Sequence, residues 1–238
     1  MDRTGGKNVT EKKRIGCLHA HHGNIGYLDA LLSGYEAETS HFVDPALVRR
    51  IGVDPNFSAS RAQQRVRDQL EWIAESGVDG IVVTCTAYSA AMPTEPELGL
   101  SIPVVTIDEP FFAAVCQAAG PQTILFTNPG TVAGTMGRLA AYAETVLVAL
   151  SATSELIPDA FDLFMTGRQA EHDNLLSARL TEIIARGTSG TFFAGQLSMS
   201  AATRRAETKT GKALISPLDT LAAAISQRVG LRKTEAAI

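Results

Sequence analysis

Three cysteines in 238 residues, Cys17, Cys85 and Cys116, are too few and too widely spaced for a disulfide framework or a paired-cysteine metal knuckle. No apolar run approaches the ~18 residues that a membrane-spanning helix needs. The opening MDRTGGKNVTEKKR is polar, with no apolar segment behind it that looks like a signal peptide. Basic clusters are also scarce: 21 Lys and Arg against 25 Asp and Glu give a formal charge of -4, which argues against nucleic acid or an anionic membrane as a partner. These absences leave a cytoplasmic protein that handles small molecules. His19, His21 and His22 are crowded enough to raise a metal question. No second ligand cluster follows at zinc spacing, so the expectation is no metal and no cofactor.

What is present is an alternation of apolar runs with longer amphipathic segments in a chain that is 45% hydrophobic and 19% charged. Strands are expected at Arg14–Ala20, Glu38–Val43, Gly80–Thr84, Val104–Ile107, Thr123–Thr127, Thr145–Leu150, Thr191–Ala194 and Ala213–Ser216. The period of Val66, Leu70 and Ile73 predicts a helix over Ser58–Ser76. That of Leu175, Leu176, Leu180, Ile183 and Ile184 predicts another over Gln169–Arg186. Asp44 followed by Pro45 reads as a helix start. Residues 1–13 and the stretch after Val229 read as frayed tails. Strand and helix in alternation mean an α/β fold with a parallel sheet and crossover helices.

The alternation runs twice. In the first half one strand ends in HAHHGN and a later one, GIVVTCTAYS, stops on Cys85. In the second half a strand ends in TNPGTV and a later one in AGQLSMS. His19 and Cys85 are separated by much the same interval as Asn128 and Gln196. Two similar halves with polar strand tips facing each other would enclose one cleft, a preferred place for a small-molecule site. A thiol at such a tip could be a small core hydrophobe or a reactive group.

These motifs, in this order, resemble the aspartate/glutamate racemase superfamily, which includes hydantoin racemases, maleate isomerases and arylmalonate decarboxylase. The resemblance runs roughly from Arg14 to Arg228. It implies two doubly wound parallel-sheet lobes related by pseudo-twofold symmetry, with the cleft between them. Residues 14–108 plus 216–230 would form the first lobe and residues 109–215 the second. CTAYS is similar to the family's first cysteine motif and makes Cys85 the catalytic thiol, with Thr86 and Ala87 beside it. IGCLHAH is similar to its first strand and sets His19 at the position of an acidic partner. The resemblance further implies substrate contacts from Asn128, Thr131, Gln196 and Ser198, a small carboxylate or amino-acid-like substrate, no cofactor, and a homo-oligomer; Asn24 reads as lining the floor of the cleft or as the N-cap of the next helix. AGQLS departs from the second cysteine motif, because Gln196 stands where the second thiol would be and Ser198 where its supporting histidine would be. Cys17, in mid-strand, and Cys116, inside an apolar helix, read as buried and inert.

Racemisation at a Cα without a cofactor needs a base on one face and an acid on the other. Glutamine hydrogen-bonds but does not titrate. A divergent member with one thiol is therefore expected to run single-thiol proton transfer, as an isomerase, epimerase or decarboxylase. Covalent cysteine catalysis of the maleate isomerase type, or binding of a small acid without turnover, stay open. A thiol beside a histidine is also expected to be acidic. Tyr88 reads equally as a determinant of substrate size or as packing, and Arg204 and Arg205 as a solvated face.

Overall fold

The computed structural model describes residues 12–186 and 190–234. Among these residues eight strands form two four-stranded, all-parallel sheets. The first sheet comprises β1 (Lys13–His19), β2 (Ala37–Val43), β3 (Gly80–Val83) and β4 (Val104–Thr106), in the order β2-β1-β3-β4. The second comprises β5 (Gln122–Phe126), β6 (Ala152–Leu156), β7 (Thr191–Ala194) and β8 (Leu214–Ile215), in the order β6-β5-β7-β8. The two orders are the same, so the repeat read from the sequence is a repeat of topology, and the fold is α/β with two doubly wound lobes.

Each sheet is covered on both faces, which is why the central strands are continuous apolar runs rather than alternating ones. In the first lobe Ile15, Cys17 and Val82 pack against Leu221 and Ile225 of the helix Pro217–Val229 on one side. Leu18, Ile81 and Val83 pack on the other against Val66, Leu70 and Ile73 of the helix Ala59–Glu75. In the second lobe Leu125 and Phe192 meet Leu180 and Ile184 of the helix Gln169–Ala185. Ile124, Phe126 and Phe193 meet Phe111, Phe112 and Leu139 on the opposite face. Gly16 has a steric reason to be glycine: a Cβ there would lie 2.4 Å from the Ile73 methyl.

Three expectations change. The strand placed at Thr145–Leu150 is instead β6 at Ala152–Leu156. Thr145 ends the helix Pro129–Thr145, and Leu147, 93% exposed, sits at φ 57° in the turn that follows. The apolar run is a solvent-facing turn, whereas the true strand is a half-exposed sheet edge of polar sequence, ATSEL, with no hydrophobic pattern to announce it. Lys13 belongs to β1 rather than to a tail, and residues 1–11 lie outside the described residues. Beyond Val229 the chain is pinned as far as Thr234. Leu231 is buried, Lys233 bridges Tyr35, and the Thr234 N–H donates to the Gly34 carbonyl at 2.9 Å. Residues 235–238 lie outside the described residues.

Candidate active site

In an open parallel sheet, ligands bind beyond the carboxyl ends of the strands where the strand order reverses. Here those points lie between β1 and β3 in one lobe and between β5 and β7 in the other. The tips of these four strands open on one cavity of about 610 Å³. From the first lobe it is lined by Asn24, Thr84, Cys85, Thr86 and Ala87, and from the second by Asn128, Thr131, Gln196 and Ser198. Eight of the nine site residues expected from the sequence therefore share this wall. His19 does not line it.

Cys85 follows the wholly buried β3 and occupies the N-cap of the short helix Thr86–Ala90. Burial pushes its thiol above the ordinary cysteine value, and the Asp108 carboxylate adds to this; the Tyr88 and Ala87 N–H groups and Arg138 pull the other way without winning. The expected acidic thiol is thus, in this fold, a thiol that holds its proton. Cys17 is fully buried and pushed up to about 12. Cys116 is only partly buried, which still raises it. Tyr88 is packing: it is wholly buried, and its hydroxyl donates to the Asp44 carbonyl at 2.7 Å.

The histidine beside the thiol is differently placed from what the sequence suggests. His19 is wholly buried, with Nδ1 at 2.8 Å from Thr84 Oγ1 and Nε2 at 2.9 Å from His41 Nδ1. Both ring nitrogens are occupied away from Cys85. Burial, then the His41 ring, lowers the His19 pKa to about 4 despite Asp29. His21 lines the cavity with its ring tilted against Phe164, and the His22 ring lies tilted against it as well. Cys17, His19 and His41 bring one ligand atom each to within 4.8 Å of one another, a different trio from the one the sequence offered. Asn24 lines the cavity and donates weakly to Thr84 Oγ1 at 3.4 Å; its side chain caps no helix.

Gln196 is held tightly. Gly195 carries the chain past the Phe126 ring, where a Cβ would lie 2.6 Å from a ring carbon. The Gln196 Oε1 then accepts from Thr127 N–H at 2.6 Å, Thr127 Oγ1 at 2.8 Å and Asn128 N–H at 3.0 Å. Two of these donors are backbone N–H groups, which fix the amide's orientation: oxygen toward the loop, NH₂ away from it. That NH₂ has no protein acceptor among the described residues and is a donor available to a ligand. Asn128 spends its side-chain oxygen on Gly130 N–H, and Thr131 donates to the Asn128 carbonyl.

Three residues carried no local sequence signal. Asp108, at the start of the helix Asp108–Gln117, lines the cavity and is buried, which raises its pKa against the pull of Arg138 and Ser89. Arg138, on the helix Pro129–Thr145, donates to Asp108 Oδ2 at 3.0 Å and to the Thr86 carbonyl, tying the second lobe to the thiol turn. Arg49 lines the cavity and forms no ion pair among the described residues. All three come from strand ends and helix faces that only the fold brings together. The remaining wall is apolar: Val48, Phe111, Phe161, Phe164 and Met165. Arg204 and Arg205 lie on the exposed face, paired with Asp219 and with Asn174 and Asp173.

The same two-lobe architecture occurs in solved structures. The aspartate racemase of Picrophilus torridus superposes with a TM-score of 0.67 at 13% identity, over 94% of this chain and 97% of that one. The chain has the racemase fold. Glutamate racemase isoform RacE1 of Bacillus anthracis gives 0.65 at 17% identity, over 91% and 81% of the two chains. Allantoin racemase of Klebsiella pneumoniae gives 0.64 at 16% identity, over 92% and 88%. No family model and no curated protein matches the sequence itself. None of the described helices is long and apolar enough to cross a membrane.

Proposed function

We propose that the chain is a divergent member of the aspartate/glutamate and hydantoin racemase superfamily that moves protons at a carbon acid with one thiol, Cys85, as a cofactor-independent isomerase, epimerase or decarboxylase. The observation that carries this reading is the asymmetry of the cavity wall. Its titratable side chains, His21, Arg49, Cys85 and Asp108, all come from residues up to 108, and from Phe111 onward the lining has none. In this reading residues 14–108 and 216–230 supply the chemistry. Residues 109–215 supply hydrogen bonds, from the Gln196 amide above all, to the oxygens that gain charge as a carbanion forms.

The substrate proposed is a carboxylate or hydantoin-like ring with an apolar substituent. Phe111, Phe161, Phe164 and Met165 offer a surface that a short acidic side chain would not fill, and Arg49 is the cation available for a carboxylate. A thiol that keeps its proton suits the role of acid toward a carbanion. It becomes a base only when the bound substrate alters its surroundings.

The test is a screen of benzylhydantoin, benzylmalonate and the amino acids aspartate and glutamate by NMR in deuterium oxide, with wild type and Cys85→Ala. Exchange or decarboxylation by wild type that is lost in the variant supports the reading. Ligands that bind both proteins and are altered by neither would replace it with a binding protein. Accumulation of a covalent adduct on Cys85 would replace it with nucleophilic catalysis.

A further inference from the structure

A chain of hydrogen bonds runs from the protein surface to the cavity wall through two histidines. Asp29 Oδ1, on the helix Ile25–Leu32, lies 2.9 Å from His41 Nε2. His41 Nδ1 lies 2.9 Å from His19 Nε2, across the β1–β2 pair, and His19 Nδ1 lies 2.8 Å from Thr84 Oγ1. Asp29 is half-exposed, His41 partly buried, His19 wholly buried, and Thr84 lines the cavity immediately before Cys85. Each step buries the chain further until it reaches the ligand space.

With His41 neutral, the direction of every bond follows from the carboxylate end. Burial works against the charge on Asp29, but hydrogen bonds from His41 and Thr39 prevail and hold its carboxyl below the usual range, so it is an acceptor only. His41 Nε2 must therefore donate. In its neutral form His41 then accepts at Nδ1, which obliges His19 Nε2 to donate and His19 Nδ1 to accept. The proton on that last bond is then the hydroxyl proton of Thr84, for which the Leu18 carbonyl at 3.3 Å is the longer, competing acceptor, while the Asn24 amide donates to Thr84 Oγ1 at 3.4 Å. Around the two rings the facing titratable groups are Asp29 from the helix above and the Cys17 thiol from β1. Both rings are occupied at both nitrogens, so neither is free to bind a ligand directly.

We infer that Asp29, His41 and His19 are a proton relay serving the Thr84 hydroxyl, which makes Thr84 a second proton-transfer group of the first lobe, beside Cys85. This rests on the proposed function for its substrate but not for its geometry. In the forward step a cavity proton bonds to Thr84 Oγ1 as the Thr84 proton passes to His19 Nδ1. The His19 Nε2 proton passes in turn to His41 Nδ1. One proton has entered, and the positive charge rests on the His41 imidazolium beside the Asp29 carboxylate rather than on wholly buried His19. The low pKa of His19 is what such a relay requires, since the ring passes charge on without keeping it. His19 and His41 are thus positioning residues that act through Thr84.

The tautomers can be read without a substrate, from imidazole ¹⁵N and ring-proton NMR of the full chain, with His19 and His41 assigned from His19→Gln and His41→Gln. At about pH 8, where an ordinary histidine is neutral, both rings are expected to carry their proton on Nε2. A His19 proton on Nδ1 under those conditions, or stoichiometric zinc retained through dialysis and lost in Cys17→Ala, would overturn the relay. The second arm is hydrogen exchange of benzylhydantoin. Thr84→Val and His41→Phe are each expected to slow it by about tenfold to a hundredfold and to turn a curved proton inventory into a linear one. Exchange unchanged in Thr84→Val would also overturn it. Correct tautomers together with a wild type inert toward every probe would support the relay geometry and count against the proposed enzymatic function alone.

Discussion

The two lobes share one topology and differ in what they bring to the cavity. In the first, the switch point between β1 and β3 delivers a thiol, a threonine backed by two histidines, and, from the end of β4, a buried carboxyl. In the second, the same point between β5 and β7 delivers two amides and hydroxyls whose hydrogen bonds are mostly spent within their own loop. The same backbone arrangement at the strand tips is thus kept in both lobes, while the titratable side chains of the cavity wall all come from residues up to 108. A fold of this kind sets where chemistry can occur; the side chain at each strand tip sets whether it does.

The largest expected effect that separates the lobes is Cys85→Ala, for which proton exchange of an accepted probe should fall by about 10²–10⁴-fold, with circular dichroism unchanged. Asp108→Asn comes next. It leaves the Arg138 guanidinium, which reaches across to the Thr86 carbonyl, without its buried counter-charge. Denaturant unfolding should show a loss of about 3 kcal/mol. In the second lobe, Gln196→Ala strands the Thr127 and Asn128 N–H groups and should cost about 1–2 kcal/mol in thermal or urea unfolding. Gln196→Glu, which keeps an acceptor there, should cost less. A larger activity loss from Gln196→Ala than from Cys85→Ala would reverse the roles assigned to the two lobes.

The smallest difference is in acid. Asp79 is held below the usual carboxylate range chiefly by the Arg14 N–H and then by Lys13. At Asp44 and Asp29 burial works the other way, but hydrogen bonds outweigh it and both are lowered as well. All three belong to the first lobe. A lowered acid stabilises the folded state above its unfolded pKa, about 3.9 for Asp, and this contribution is lost as pH falls through the lowered folded value. Acidification below about pH 4 should therefore weaken β1 cross-peaks in NMR spectra before those of β5. These groups are partly solvated, so the separation is expected to be slight.

The sequence made legible what periodicity and strand-tip residues carry. β1, β3, β5 and β7 are buried on both faces and show as apolar runs, and the residues that follow them, including Cys85, Asn128 and Gln196, were readable as one cleft because parallel strands end on the same side. Asp108, Arg138 and Arg49 were not, since the pairing of Asp108 with Arg138 and the place of Arg49 on the cavity wall depend on helix rotation and on the docking of two lobes, neither of which leaves a local pattern. His19 shows the same limit: its strand-tip position was readable, but its two partners, Thr84 and His41, come from different strands and turn its nitrogens away from the thiol. The burial that raises the Cys85 pKa is likewise a property of the closed turn and not of the motif CTAYS.

The central claim is that protons reach the reacting carbon from the first lobe alone. It is tested most directly by the stereochemical course of hydrogen exchange in deuterium oxide, followed by chiral NMR on a probe that the wild type accepts, with Gln196→Cys as the companion variant. The wild type should place deuterium on one face only, and Gln196→Cys should gain exchange at the opposite face. Efficient exchange on both faces by the unmodified protein, or racemisation of aspartate or glutamate at an enzymatic rate, would contradict it, because a proton donor would then have to stand on the face of the substrate opposite Cys85.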